Sequence, residues 1–408
     1  MRDPPPLKPL FVEGSNPPSA KRLEILAPNR WRVRPWIEEP EGTRVGIYGF
    51  RCDLLVRNRA ARTQNLELEV SWHHDPRKVR KYLDFLHIEI APDRWHLVQG
   101  KILGATVRFA LRVPPGDHWL SVNPAWHVSH HTRWLESLPR RARVRTFGVT
   151  KGGRPMQEIV LGHPRRPTLG VIARCHPYES ASSVKAVGIV EWLLGGSSAA
   201  RRILRRWRVR IIPMANPDGV ALGCARLTRP GGVDLNIEFF QPSDPTARAI
   251  ERWIHEARPR LLLNLHNWMA KDLNGLYYRE ERDRRAFLRA FGRKLPGRRK
   301  WLALVMGGDF KPGDPPRQIL DRLARDRYGA LNLIVEFPWY GWSPAVMRRE
   351  GARAFRAAVK VLDLRERPSP RLPNPRISSI FREQLSSSSM ADRRGGSCRD
   401  SRLLTRRV

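Results

Sequence analysis

The hydrophobic rhythm of this chain changes near residue 140, and that change limits the folds open to it. Before it, apolar and polar residues alternate with the period of a half-buried strand. Leu66, Leu68, Val70 and Trp72 interleave with Glu67, Glu69 and Ser71, and Val107, Phe109, Leu111 and Val113 interleave with Arg108, Ala110 and Arg112. Turn clusters separate such runs, among them Val113-Pro114-Pro115-Gly116-Asp117. Residues 21–139 are therefore expected to form an antiparallel β-sandwich, with a short helix at about Thr132–Leu138. After the change, strand-like and helix-like segments alternate. Strands are expected at Arg143–Val149, Glu158–Leu161, Thr168–Ala173, Val209–Pro213, Arg260–Leu265 and Leu331–Phe337. Helices are expected at Ala186–Leu194 and Thr246–Ala257, the second with Ile250, Trp253, Ile254 and Ala257 on one face. That alternation predicts an α/β fold over residues 140–364, a sheet covered on both faces. No repeat at a fixed period is present.

The chain has 408 residues, 41% of them hydrophobic and 14 of them Trp, enough for one large core or two moderate ones, which excludes full-length disorder. Residues 1–20 carry three adjacent prolines and no apolar run of secretory-leader length, so they are expected to be flexible and export is not indicated. No run approaches the ~20 apolar residues of a bilayer span. Cys52, Cys175, Cys224 and Cys398 are scattered without a CxxC pair, as expected of reduced thiols in a cytoplasmic protein. Residues 365–408, rich in Ser, Pro and Arg, are expected to be a disordered basic tail.

The charge is strongly positive: 75 Lys plus Arg against 39 Asp plus Glu, a formal +36. Between Arg367 and Val408 ten Arg face three acids, so the tail holds +7 and the remainder +29. Two readings are open, attraction for acidic partners and drift in composition. The even spread of Arg, with no basic helix interleaved with aromatics, favours drift and argues against a dedicated nucleic-acid groove.

Thr168–Ala173 runs into Arg174-Cys175-His176-Pro177-Tyr178-Glu179-Ser180, which places His176 and Glu179 on the loop at a strand end, where open α/β sheets keep their sites. An imidazole and a carboxylate three residues apart can face one ion, and a third donor would complete a zinc site with an open position. His266, at the end of Leu261-Leu262-Leu263-Asn264-Leu265-His266, is a candidate donor, and Glu336 ends the apolar strand Leu331–Val335 as a candidate general base. Blander readings stand beside these: a hydrogen-bonded loop histidine, a satisfied core histidine, and a Glu336 paired with one of the many arginines. No Gly-x-Ser-x-Gly elbow, phosphate loop or dinucleotide fingerprint is present, and Cys175 reads better as an inert buried thiol than as a nucleophile.

In order along the chain stand Lys151-Gly152-Gly153-Arg154-Pro155-Met156, His176-Pro177-Tyr178-Glu179, Pro213–Gly219, Gly223-Cys224-Ala225-Arg226, Gly232-Val233-Asp234-Leu235-Asn236, Asn264-Leu265-His266 and Val335-Glu336. This series resembles the zinc carboxypeptidases of the funnelin type, and among them the cytosolic carboxypeptidase branch, in which a β-sandwich precedes the catalytic domain. The resemblance covers roughly Trp126–Leu364 well and the sandwich weakly. It implies a mixed sheet flanked by helices, and one Zn2+ per chain held by His176, Glu179 and His266. It further implies Glu336 as general base, Arg226 steadying the oxyanion, and Asn236 helping to hold a substrate carboxylate. The implied activity is hydrolysis near the C-terminus of a peptide or protein tail, with an acidic tail as one possibility. Two departures stand out. Ile237 occupies the position where the family usually has an arginine that anchors the carboxylate, with Arg229 and Arg279 as candidate replacements, and Met306–Pro316 contains no tyrosine to close over substrate. The alternative is therefore a member of altered specificity, or a non-catalytic one that binds acidic polymers.

Overall fold

The computed structural model describes residues 5–11, 23–35, 51–72, 76–91, 94–236, 243–267, 271, 273–292, 300–305 and 319–366. Ile237, the Met306–Pro316 stretch, Cys398 and the basic tail lie outside them.

Ten strands of the first half form two five-stranded sheets. In the first, the order is β1 (Lys8–Leu10), β4 (Asp53–Asn58), β10 (Gly116–Ser121), β6 (Phe85–Ala91) and β7 (Arg94–Gln99). In the second it is β2 (Leu23–Ala27), β3 (Arg30–Val33), β5 (Gln64–Ser71), β9 (Thr106–Val113) and β8 (Lys101–Leu103). The alternation seen in sequence is the alternation of burial: Leu66, Leu68 and Val70 of β5 and Val107, Phe109, Leu111 and Val113 of β9 face a core shared with Val56 and Leu120. The expected antiparallel sheets are found in all but one pairing, that of β3 with β5, which run parallel. One expectation needs correction. The N-terminus, read as flexible, contributes β1, which pairs antiparallel with β4, and Leu7 is buried. Pro9 is compatible with that strand because β1 lies at the sheet edge, where a missing N–H costs no ladder bond.

The second half is built on an eight-stranded mixed sheet, in the order β11 (Arg143–Val149), β12 (Pro155–Leu161), β14 (Arg208–Ile212), β13 (Thr168–Ala173), β15 (Leu261–His266), β18 (Leu331–Glu336), β16 (Leu273–Tyr278) and β17 (Lys300–Val305). The central strands β14, β13, β15 and β18 are parallel. Successive side chains point to opposite faces and feed two cores. Val171, Leu263, Leu333 and Val335 pack with α3 (Ser180–Leu194), α7 (Glu281–Phe291) and α9 (Pro344–Arg365). Ile172 and Leu262 pack with α6 (Pro245–Ala257) and α8 (Ile319–Tyr328). The remaining helices among the described residues are α1 (Pro76–Tyr82), α2 (Val128–Glu136), α4 (Ser198–Arg206) and α5 (Pro217–Ala221).

Helix α3 is buried almost all round, from Ser180 to Val190. It meets α9 at two glycines. A Cβ on Gly188 would lie 2.1 Å from the Arg348 carbonyl oxygen, and one on Gly351 would lie 2.6 Å from Lys185 Cα, so only glycine permits this approach.

The described residues up to Arg365 form one compact unit. Arg51, just before β4, binds Asp53 and donates to the carbonyls of Gly219, Val220 and Cys224 at 2.9–3.1 Å. Tyr178 and Ala225 of the second half complete the apolar core of the first.

Candidate metal centre

Strands β13, β15 and β18 are adjacent and parallel, so their C-terminal ends open on one edge of the sheet. His266 is the last residue of β15 and Glu336 the last of β18, and the two are partners in register. His176 lies three residues beyond the end of β13. The chain turns there at Arg174, which adopts a φ of 64°, and its N–H bonds Ser182 Oγ at 2.9 Å while its guanidinium bonds the Pro177 carbonyl at 2.7 Å. Asn216 holds the neighbouring Cys175 carbonyl at 3.1 Å and caps α5 through the Gly219 N–H at 3.0 Å. The Asn216–Gly219 turn thus shapes the wall, as its sequence suggests. Asp218 in the same turn receives Thr150 Oγ1 and the Gly152 N–H, both at 2.7 Å, which docks the Lys151–Met156 turn beside it.

Glu179 sits between two imidazoles. Its Oε1 is 2.7 Å from His176 Nδ1 and its Oε2 is 2.9 Å from His266 Nδ1, with the Asn267 N–H at 3.2 Å on the second oxygen. All three residues are buried, and their ligand atoms lie within 4.8 Å of one another. Burial alone would raise the Glu179 carboxyl, but the facing imidazoles of His176 and His266 outweigh it and hold the group well below the carboxylate range. For His176, burial and the nearby Arg226 oppose protonation, and Glu179 with Asp234 overcome them and raise the ring to about 9.

Two nitrogens and a carboxylate converging at one buried point are a donor set that fits zinc. The outer contacts fit as well: His176 Nε2 faces Asp234 Oδ1 at 3.2 Å, the carboxylate partner that typically orients a metal-holding imidazole. Asp234 also takes Arg226 on Oδ2, at 3.0 Å from Nε and 2.9 Å from a terminal nitrogen, and the Asn236 N–H on Oδ1 at 2.9 Å. A single buried carboxylate thereby ties Arg226, Asn236 and His176 together.

Glu336 is half-buried beside His266. Burial is the main cause that pushes its carboxyl up to about 7, with Glu179 adding to the rise and His266, Lys185 and His176 opposing it. The same burial pushes the ammonium of Lys185, under the strand ends, down to about 7, against the pull of Glu179 and Glu336.

Of the residues singled out in sequence, His176, Glu179, His266, Arg226, Asn236 and Glu336 all fall at this sheet edge. Arg229 is instead bound to Asp244 at 3.1 Å. Tyr328 packs away from the site with its hydroxyl 2.6 Å from His255 Nδ1. Two phenols that were not singled out flank the centre. The Tyr178 ring stacks at 13° to that of His176, with centroids 6.3 Å apart. Tyr277 of β16 shares a face with Glu336, since Gly275 is opposite Glu336 and Tyr277 opposite Ile334; burial and the charges of Glu336 and Glu179 push its hydroxyl up. Asp234 carried a signal, its place in Gly232–Asn236. Lys185 carried another, a charge in the small and apolar first three turns of its helix.

Residues 131–270 match the zinc carboxypeptidase family model, a stretch that contains every residue of the centre except Glu336. Cytosolic carboxypeptidase 6 of Caenorhabditis elegans is 44% identical over 72 residues, 18% of this chain and 16% of that protein. Human cytosolic carboxypeptidase 4 is 40% identical over 78 residues, 19% of this chain and 7% of that one. The matches thus span well under a quarter of these relatives' lengths. Among solved structures, a metallo-carboxypeptidase from Burkholderia cenocepacia aligns with a TM-score of 0.71 at 20% identity, over 88% of this chain and 99% of that one. A carboxypeptidase A-like structure from Shewanella denitrificans aligns with a TM-score of 0.70 at 16% identity, over 89% and 99%. The fold is that of these metallo-carboxypeptidases, and the resemblance to zinc carboxypeptidases and their cytosolic branch, drawn above from motifs, holds.

Proposed function

We propose that this chain is a zinc-dependent metallocarboxypeptidase that hydrolyses a peptide bond near the C-terminus of its substrate, with one zinc per chain. The observation that carries the reading is the meeting of His176, Glu179 and His266 within 4.8 Å, with Glu336 in register beside His266. The family match and the relatives' names support it. The cytoplasm is the proposed compartment, and residues 21–139 and 140–364 the proposed sandwich and catalytic parts.

His176 and His266 through Nδ1, and Glu179 through its carboxylate, would hold the ion, with Asp234 fixing the His176 ring. Zinc bound there supplies Lewis acidity, lowering the pKa of water toward about 7 and polarising a carbonyl. Glu336, as the carboxylate, accepts a proton from the attacking water and returns it to the departing amine. Arg226, permanently charged and oriented by Asp234, donates to the negative charge that develops on the carbonyl oxygen. Asn236 offers its side-chain amide to the substrate's carboxylate.

Ile237 favours a second reading, in which the substrate lacks a free terminal carboxylate or the chain binds acidic tails without cleaving them. A charge-assisted carboxylate contact is worth about 1.5–3 kcal/mol, and an isoleucine cannot supply it. Zinc content and hydrolysis of paired peptides with free and amidated C-termini separate the readings. The proposed function expects about one zinc per chain, cleavage of the free-terminus peptide, and loss of both in His266→Ala. Parent protein without zinc, or zinc content unchanged in both His176→Ala and His266→Ala, would sink it. Cleavage of amidated peptides alone would move the assignment to the second reading.

A further inference from the structure

Lys185 lies on α3, six residues after Glu179, and is wholly buried. A buried lysine is costly unless its donors are used. Here they are spent on two main-chain carbonyls. The Nζ group donates to the carbonyl of His266 and, at 3.0 Å, to that of Val335, and it stands 5.0 Å from the ring centroid of Phe337. His266 is the last residue of β15 and Val335 the last but one of β18, and a buried main-chain acceptor there is well served by a charged donor. One is the carbonyl of the third proposed zinc ligand. The other belongs to the peptide group that leads directly into Glu336.

The segment from His176 to Lys185 therefore reaches every part of the centre. It carries two of the zinc-holding side chains, then passes beneath the sheet edge and grips the main chain from which His266 and Glu336 project. Helix α3 is itself held rigidly, since Gly351 of α9 abuts the Lys185 backbone. We infer that Lys185 is a positioning residue: it sets the placement of the Glu336 carboxylate relative to the metal-holding imidazole of His266 by clamping the two strand ends together. The inference rests on the proposed function, and it names a residue that touches neither substrate nor the reacting atoms.

The test compares the full chain with Lys185→Met, which keeps all but the last atom of the side chain's length and removes its donors, and with Lys185→Gln, which keeps a shorter donor. Zinc affinity is read by competition with a chelator, using zinc alone. Peptides cleaved by the parent are then used to read kcat and KM on zinc-loaded protein. A displacement of about 1 Å between reacting groups costs about 100-fold in rate, so Lys185→Met is expected to lower kcat about 10- to 100-fold with KM within about twofold. Its zinc affinity is expected to fall about tenfold, with Lys185→Gln lying between it and the parent. A variant that melts earlier yet keeps parental kcat, KM and zinc affinity would reduce Lys185 to a core residue and overturn the inference. So would failure of both variants to fold. A parent that binds no zinc defeats the proposed function itself, and the inference with it. A parent that binds zinc but cleaves none of the peptides leaves the decision to the chelator competition, in which parental affinity in Lys185→Met counts against the clamp.

Discussion

Glu336 stands directly across from His266, each the final residue of one of two neighbouring parallel strands. Directly opposed residues project from the same face, so strand register brings the proposed general base and the proposed metal-holding imidazole side by side. Replacing the base isosterically tests this. Glu336→Gln is expected to retain zinc and to lose about 10²- to 10⁴-fold in kcat, the usual worth of a positioned acid or base. Measured zinc content with steady-state kinetics checks it, and a variant as fast as the parent removes Glu336 from the mechanism.

Asp234 joins the His176 ring to Arg226. Asp234→Asn keeps the volume but gives up the charge, so it should weaken zinc binding about tenfold or more, as loss of an outer-shell carboxylate does elsewhere. It should also lower kcat, because Arg226 loses the group that aims it. Chelator competition on zinc-loaded protein reads the first effect and kinetics at saturating zinc the second.

Acid should destabilise the protein early. Burial lowers both His87 and His131 to about 4, against a hydrogen bond to Val122 that raises His87 and together with Arg174 in the case of His131. Both rings are neutral in the folded chain, whereas the unfolded chain takes up their protons below about 6.5. Stability should therefore fall as pH drops from about 6.5 to about 4, by up to about 3 kcal/mol for each ring. His87→Gln should flatten that slope by close to one proton, as read from denaturant unfolding at a series of pH values. An unchanged slope would mean that His87 is already protonated in the fold.

The contact of α3 with α9 predicts a loss from adding a single methyl group. In Gly351→Ala the new Cβ would fall 2.6 Å from the Lys185 backbone, so the helices must separate. Overpacking of this kind costs about 1–3 kcal/mol, seen as a lower denaturation midpoint, and the displaced α3 should carry a loss of kcat with it.

Much of the second half was legible because buried parallel strands read as unbroken apolar runs. Thr168–Ala173 appears as expected, and the strands ending in His266 and Glu336 agree to within one residue. Period-two alternation was equally clear in β5 and β9. What stayed hidden depended on contacts remote in sequence. Glu69 sits on the polar register of β5 yet is buried, because Arg30, Arg32 and Arg108 from neighbouring strands surround it and hold its carboxyl down to about 2. Helix α9, 22 residues long, escaped notice because its packed face relies on Gly351, Ala354, Ala358 and other small residues among arginines. Lys185 looked like an interruption of an apolar helix, and only the carbonyls above it explain its presence. The site residues were findable from spacing and motif order, whereas the way Asp234 couples three of them required the fold.

Arg51 closes three carbonyls of the opposite half with one guanidinium, while Tyr178, between His176 and Glu179, is seated in the sandwich core and its carbonyl accepts from Asn123 at 3.0 Å. A fragment trimmed to residues 140–365 would shed those donors and strip the apolar cover from the very loop that offers two of the proposed zinc ligands. The sandwich is in this sense a brace for that loop, and inheritance of the second half without the first would leave it supported from one side only.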